Sequence, residues 1–208
     1  MFELESILLF LGLSWVLIVT PGPDLIYVLT KGVANGKKAG IISAAGVVLG
    51  ILVHTVFAAI GLSAILQTSA TAFMVVKLVG ATYLVYLGVK SLLSSGDFNI
   101  KVGEKSSYRK LFSQGLLSNT LNPKVALFFI AFLPQFVNPD STASVAAQLI
   151  VLGMLFATCT LIFLSILGYF SGSIGIYLNK RKKLANIIQY LSGAVLVLLG
   201  VRLAFAKK

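Results

Sequence analysis

The chain of 208 residues is 58% hydrophobic and only 11% charged, with a mean hydropathy of +0.98. A soluble domain of this composition would expose large apolar patches, so the composition indicates a membrane protein. The formal net charge of +11 does not point to a nucleic-acid partner, because the basic residues lie in short connectors between apolar runs.

Six apolar runs follow one another along the chain. The first lacks the basic region and the small-residue cleavage site of a signal peptide, so we expect it to be retained. Each run is long enough to cross a hydrocarbon core of about 30 Å, which takes roughly 20 helical residues. The sequence predicts an all-α polytopic membrane protein with six transmembrane helices near residues 5–30, 40–66, 71–93, 111–137, 145–170 and 186–205.

Prolines interrupt the first and fourth predicted spans at matching points, and a charge follows each of them. Pro123 lies 100 residues after Pro23. Proline removes a backbone donor, and the freed carbonyls survive in a membrane only inside protein or beside a water-filled cavity. The two interrupted segments are Thr20-Pro21-Gly22-Pro23-Asp24 and Thr120-Leu121-Asn122-Pro123-Lys124. Paired breaks of this kind point to the binding site of a transporter.

Each break is predicted to begin a new half-helix. Asn122 has the character of an N-cap with Pro123 at the first helical position, and Pro23 begins a half-helix with Asp24 in its first turn. Asp24 suits the positive end of a helix, whereas Lys124 faces the unfavourable end and lies at membrane depth. We expect the charge of Lys124 to be offset by Asp24, by an anionic ligand group, or by both.

The two breaks together offer groups of both charges to a ligand. A molecule with a carboxylate and an ammonium a few ångströms apart matches this inventory, and an α-amino acid is the commonest such molecule. A proton or small-ion pathway would use the same groups. The candidate substrate-binding residues are Thr20, Pro21, Gly22, Pro23, Asp24, Asn122, Pro123 and Lys124.

The charges of the connectors predict an orientation. Eleven basic residues lie in the first, third and fifth connectors, whereas the second carries no charge and the fourth only Asp140. Three basic residues at the C-terminus favour the opposite orientation. By the positive-inside rule the odd connectors are cytoplasmic and both termini lie outside.

The matching breaks predict two repeats of three helices, residues 1–93 and 111–208, joined by a cytoplasmic connector at 94–110. Three spans in each half place the second half upside down relative to the first, and such inverted repeats allow alternating access. The motifs Gly46-x-x-x-Gly50 and Gly168-x-x-x-Gly172 are expected to let helices approach within this fold.

Several motifs resemble, in order, those of the lysine exporter / homoserine–threonine exporter family (LysE/RhtB). They are Pro21-Gly22-Pro23-Asp24, Lys31…Gly36-Lys37-Lys38-Ala39-Gly40, Gly46…Gly50, Tyr83-Leu84…Leu87-Gly88, Asn122-Pro123-Lys124 and Phe132-Leu133-Pro134-Gln135-Phe136. The resemblance covers residues 5–205. It implies a carrier in the bacterial cytoplasmic (inner) membrane that exports amino acids or close derivatives, energised by the proton gradient.

Asp24 and His54 are the candidates for proton coupling, although a lone histidine within a span also suits a packing role. Lys77 is expected to snorkel from the outer end of the third span. With one histidine and one cysteine, Cys159, we expect no enzymatic activity, metal site or cofactor. The alternative to a carrier is a passive ion or small-solute channel. The sequence leaves open whether the protein forms a homodimer.

Overall fold

The computed structural model describes residues 2–93, 106–138, 140–180 and 182–205, and their regular structure is entirely helical. The first half contains α1 Leu4–Val19, α2 Pro23–Asn35, α3 Lys37–Phe57, α4 Ser63–Thr68 and α5 Ala70–Leu93. A π-helical turn, Ala58–Leu62, joins α3 to α4. The second half contains α6 Tyr108–Thr120, α7 Pro123–Leu127, α8 Val145–Tyr169, α9 Ser171–Lys180 and α10 Lys182–Phe205. α7 continues through a π-helical turn, Phe128–Phe132, and a 3₁₀ turn, Leu133–Phe136.

The described helices include four candidate membrane spans, or six if each of two bent pairs is one span, which confirms the predicted all-α polytopic fold class. Four are single spans, at Lys37–Leu62, Thr71–Leu93, Val145–Tyr169 and Asn186–Phe205. The other two are bent pairs, α1 with α2 at 53° and α6 with α7 and its extension at 46°. Both bends lie at the predicted proline breaks. Large apolar side chains cover the outside of the bundle, as a surface in contact with lipid requires.

The predicted first connector is far shorter than expected. α2 runs to Asn35 and α3 begins at Lys37, so Gly36 alone separates them. Gly36 has φ +88°, a conformation that glycine adopts without the strain that a side chain would bring. The basic residue Lys31 therefore lies within α2. Residues 94–105 of the predicted third connector lie outside the described residues.

Equivalent spans of the two halves pack against each other in opposite directions. In the pair α3 and α8, Gly40 near the start of one meets Gly168 near the end of the other, with a built Cβ on Gly40 2.6 Å from the Gly168 carbonyl oxygen. In the pair α5 and α10, Gly88 meets Gly193 and Gly200 meets Ala81. Each pair therefore joins the first half of the chain to the second in an antiparallel arrangement.

Glycines permit most of these close approaches, as the two Gly-x-x-x-Gly motifs predict. Gly46 packs against the backbone of Phe112 in α6. Gly50, one turn later in α3, packs against Asn119. Gly168 packs on Gly40, whereas nothing lies within 4 Å of a built Cβ on Gly172. Three of the four motif glycines therefore serve packing within the fold.

A cluster of aromatic rings fills the centre of the bundle beside the second break. Phe128 stacks on Phe132 at 5.2 Å and contacts Phe156 of α8 at 5.1 Å between ring centroids. Phe129 meets the same Phe156 ring edge-on at 5.5 Å. Phe128, Phe129 and Phe156 are buried, so this cluster fixes α7 and its extension against α8.

Candidate functional site

A half-helix begins directly after the first break, as predicted. α1 ends at Val19, Gly22 is the N-cap of α2, and Pro23 occupies its first turn together with Asp24. Gly22 is extended, with φ −165° and ψ −177°, a conformation open to any residue. A proline at this position costs no hydrogen bond, because the first N–H groups of a helix have no partner within it.

The second break also begins a half-helix as predicted. Asn122 is its N-cap, and the Asn122 side chain accepts a hydrogen bond of 3.0 Å from the backbone N–H of Lys124. Pro123 lies between them at the first helical position. The predicted N-cap and proline positions are therefore both confirmed, since capping depends on residues close together in sequence.

The ammonium of Lys124 crosses from the second break to the first. Lys124 Nζ donates to the carbonyl oxygens of Leu17 at 3.0 Å and Thr20 at 2.8 Å, at the carboxyl end of α1. These carbonyls form the negative end of that helix, so they offset a charge that the amino end of α7 does not favour. Gly22 makes room for this contact, because its built Cβ lies only 3.1 Å from Lys124 Nζ.

The carboxylate of Asp24 crosses in the other direction. Asp24 Oδ2 accepts hydrogen bonds of 2.8 Å from the side-chain amides of Asn119 and of Asn122, on either side of the second break. Its other oxygen, Oδ1, is buried and has no hydrogen-bond partner among the described residues. The carbonyls of the first break therefore bind Lys124, and the asparagine amides of the second break bind Asp24. Asp24 and Lys124 bind these separate partners rather than one another.

A small cavity lies against both charged side chains. The volume in which the centre of a water molecule fits is ≈ 20 Å³, about what one water molecule needs. Apart from Asp24 and Lys124, only the Thr160 hydroxyl is polar, and it donates to the Phe156 carbonyl. The remaining lining is apolar and consists of Leu17, Ile18, Leu25, Ile51, Val125, Phe156 and Leu164.

Two contacts tie α2 to the segment beginning α6 at one end of the cavity. The Tyr27 hydroxyl donates to the Leu111 carbonyl at 2.6 Å, and Asn35 Oδ1 accepts from the Ser106 N–H at 2.7 Å. At the opposite end of the protein, a mostly polar vestibule of ≈ 280 Å³ is lined by Phe2, Glu3, Ser6, Gln135, Phe136, Val137, Asn138 and Asp140. Asn35 and Ser106 lie at the tied end, and Asn138 and Asp140 of the fourth connector line the vestibule.

The structure brings most of the predicted site residues together at the crossing. Thr20 contributes its carbonyl, whereas its hydroxyl donates to the Val16 carbonyl at 2.7 Å. The prolines Pro21, Pro23 and Pro123 shape the two backbone breaks rather than presenting polar groups. His54, in α3, joins the site indirectly: its Nε2 lies 3.1 Å from the backbone carbonyl oxygen of Asn119.

Sequence reasoning missed Asn119. Its side chain is fully buried in the last turn of α6 and contacts Asp24 directly. Asn119 lies three residues before Asn122, in the last turn before the predicted break. That spacing, together with a polar side chain at the end of an apolar segment, could have identified it.

The expectation for Lys77 was wrong. Its side chain is 4% exposed and lies within α5 rather than reaching an interface. Three residues later, Gly80 packs on Ala131 in the extension of α7, so this stretch of α5 contacts the second half of the protein. An all-round apolar helix carries no periodic pattern that distinguishes a buried face from a lipid-facing one.

An all-helical, lipid-facing bundle with two broken helices that meet at a charged cavity has the construction of a membrane transporter. The family model described as "LysE type translocator" matches residues 15–207, and the chain belongs to this family. The resemblance seen in the sequence is thereby confirmed.

Two bacterial proteins are similar to this chain over most of their length. One is the "Uncharacterized membrane protein YrhP" of Bacillus subtilis (strain 168), 30% identical over 209 residues, which cover 96% of this chain and 98% of that protein. The other is the "Leucine efflux protein" of Enterobacter sp. (strain 638), 29% identical over 193 residues, with 92% and 91% covered. No solved structure matches the chain.

Proposed function

We propose that this protein is a secondary carrier that exports amino acids across the bacterial cytoplasmic membrane by proton antiport. The observation that carries the proposal is the charged cavity at the crossed breaks. Asp24 Oδ1 is without a hydrogen-bond partner, and Lys124 uses two of its three ammonium N–H groups on carbonyls. An amino acid offers an ammonium to the first group and a carboxylate to the second.

We further propose that the exported amino acids have apolar side chains. The observed cavity holds about one water molecule, so it must widen to bind an amino acid. Its walls beyond the two charges are aliphatic or aromatic, so they favour an apolar side chain and would leave a polar one without hydrogen bonds. The similarity to a protein named for leucine efflux supports the same class of substrate. Leucine is therefore the probe of choice for transport assays.

Alternating access requires the cavity to open toward each side in turn. We propose that the repeats at residues 1–93 and 111–208 rock against each other around the crossed breaks. The contacts of Tyr27 and Asn35 close the site toward the cytoplasm in the observed arrangement, and the polar vestibule forms the exit on the outer side. This orientation assumes the positive-inside assignment, with both termini outside.

Leucine counterflow in proteoliposomes separates a carrier from the alternative, a passive channel. A carrier accumulates labelled leucine transiently when unlabelled leucine leaves the vesicle, whereas a channel lets both equilibrate. We expect counterflow in the wild-type protein and none with Lys124→Met at equal membrane abundance. Lys90→Met, at an exposed position of α5, is the control and should transport normally. Normal counterflow by Lys124→Met would contradict the proposed site.

Proton coupling is assigned to Asp24, with His54 as the second candidate. Uptake of leucine into inverted vesicles, with and without an imposed pH gradient, measures the coupling directly. We expect Asp24→Asn to lose the acceleration by the gradient and to keep a weakened exchange of leucine, because the amide oxygen still accepts a hydrogen bond from the substrate ammonium but carries no charge. If Asp24→Asn responds to the gradient as the wild type does, Asp24 is not the coupling group and His54 takes its place.

A further inference from the structure

Asn119 lies between the two candidate proton-binding groups. Its Nδ2 donates to Asp24 Oδ2 at 2.8 Å, and its backbone carbonyl lies 3.1 Å from His54 Nε2. A carbonyl oxygen only accepts hydrogen bonds, so His54 Nε2 is the donor in this contact. One fully buried residue at the end of α6 thus touches both α2 and α3.

The two asparagines that hold Asp24 differ in their freedom. Both polar atoms of the Asn122 amide are hydrogen-bonded: Nδ2 donates to Asp24, and Oδ1 accepts from the Lys124 N–H. Asn119 Oδ1 is buried and has no hydrogen-bond partner in the part of the chain that the structure describes. A half-turn of the Asn119 amide therefore breaks one hydrogen bond, its donation to Asp24, whereas a half-turn of the Asn122 amide would break two.

The rotation of the Asn119 amide matters when the Asp24 carboxyl group changes its protonation state. An ionised carboxylate only accepts hydrogen bonds, whereas a protonated one also donates one. The amide of Asn119 now presents its donor to Asp24, and after a half-turn it would present Oδ1 as an acceptor. The turn gives the unsatisfied oxygen a partner at the moment when Asp24 gains its proton.

We propose that Asn119 is a positioning residue that reports the protonation state of Asp24 to the break in the second half. One O–H bond forms at Asp24 Oδ2, the oxygen that Asn119 faces, as the proton arrives from water, and the same bond breaks when the proton returns to water. Asn119 exchanges a donated hydrogen bond for an accepted one in each cycle. This inference rests on the proposed function, in which Asp24 carries the coupled proton.

The test compares Asn119→Leu, which keeps the approximate size of the side chain but removes both polar groups, with the wild type in proteoliposomes. We expect leucine counterflow to fall, because Asp24 loses one hydrogen bond, the acceleration by a pH gradient to fall at least tenfold further than counterflow, and the pH profile of counterflow to change. In an Asp24→Asn background the same substitution should cause no further change. Asn186→Leu, at an exposed position of α10, is the control.

A merely structural role predicts a different result, in which counterflow and gradient-driven transport fall together in both backgrounds. That result, or acceleration of Asn119→Leu by the gradient as in the wild type, overturns the inference. If Asp24→Asn alone keeps its response to the gradient, the assignment of the coupled proton to Asp24 fails first, and the two failures are thereby distinguished.

A second variant covers the case in which Asn119→Leu does not insert. A Cβ on Gly50 would lie 2.7 Å from both Cβ and Oδ1 of Asn119 and 3.0 Å from the Leu116 carbonyl oxygen, so Gly50→Ala displaces the amide together with the adjoining backbone of α6 and leaves the chemistry of the amide unchanged. We expect Gly50→Ala to lose most of the acceleration by the gradient. A wild-type response in this variant also overturns the inference.

Discussion

Gly22→Ala is the smallest change that disturbs the crossing of the two charges. Its new Cβ would lie 3.1 Å from Lys124 Nζ, 3.5 Å from Cε and 3.7 Å from Cδ. Atoms in ordinary van der Waals contact are about 3.5–4.0 Å apart, so the ammonium must retreat by roughly 0.4 Å or more. The backbone of Gly22 is extended, so no backbone strain accompanies the substitution.

The retreat of the ammonium weakens its bonds to the carbonyls of Leu17 and Thr20, which are now 3.0 and 2.8 Å long. A hydrogen bond to a charged group contributes about 1.5–3 kcal/mol. Loss of one such bond corresponds to a decrease in transport on the order of tenfold to a hundredfold. We therefore expect Gly22→Ala to lower leucine counterflow by that factor at equal membrane abundance.

Gly12→Ala is the matched control for this prediction. Gly12 lies in the same bent pair, and nothing is within 4 Å of its built Cβ. Alanine also favours a helix by about 1 kcal/mol over glycine, so Gly12→Ala should fold and transport at least as well as the wild type. If Gly22→Ala matched Gly12→Ala in counterflow, the carbonyl contacts of Lys124 would have no part in transport.

Two further predictions concern the closed end and the orientation. Tyr27→Phe removes the hydrogen bond to the Leu111 carbonyl and should lower the free energy of unfolding by about 1 kcal/mol, measured by denaturation in detergent; unchanged stability would show that this contact does not hold the end closed. With Cys159 replaced, a cysteine at Ser141 should react with impermeant reagents applied to intact cells, and one at Lys38 should not. The reverse pattern of labelling would invert the proposed direction of transport.

The sequence predicted the features that depend on neighbouring residues. Pro23 and Pro123 fix the two breaks, and Asn122 caps α7 by accepting from the N–H of Lys124, two positions later. Each of these features involves neighbouring residues, so a short segment of the sequence is enough to recognise it. Lys124 differs, because its carbonyl partners lie 107 and 104 residues away. Nothing near Lys124 in the sequence identifies Leu17 and Thr20 as those partners.

The wrong predictions for Lys77 and for the turn at Gly36 have one cause, because the local sequence does not show which distant residues a segment contacts. The apolar surroundings of Lys77 do not show which side of α5 faces the protein, so an ordinary interfacial role was expected. The prediction places a connector wherever basic residues cluster, so it does not foresee the one-residue turn at Gly36. Lys31 instead lies within α2, since lysine is a good helix former.

The crossing of charges has a consequence for biosynthesis. Asp24 enters the membrane with the first half of the chain, but its amide partners follow 95 and 98 residues later. An uncompensated aspartate at the centre of a span costs about 2.5–3.5 kcal/mol on insertion scales. The nascent first half therefore carries this cost until α6 and α7 arrive, and a chain truncated before them should be a substrate for membrane quality control.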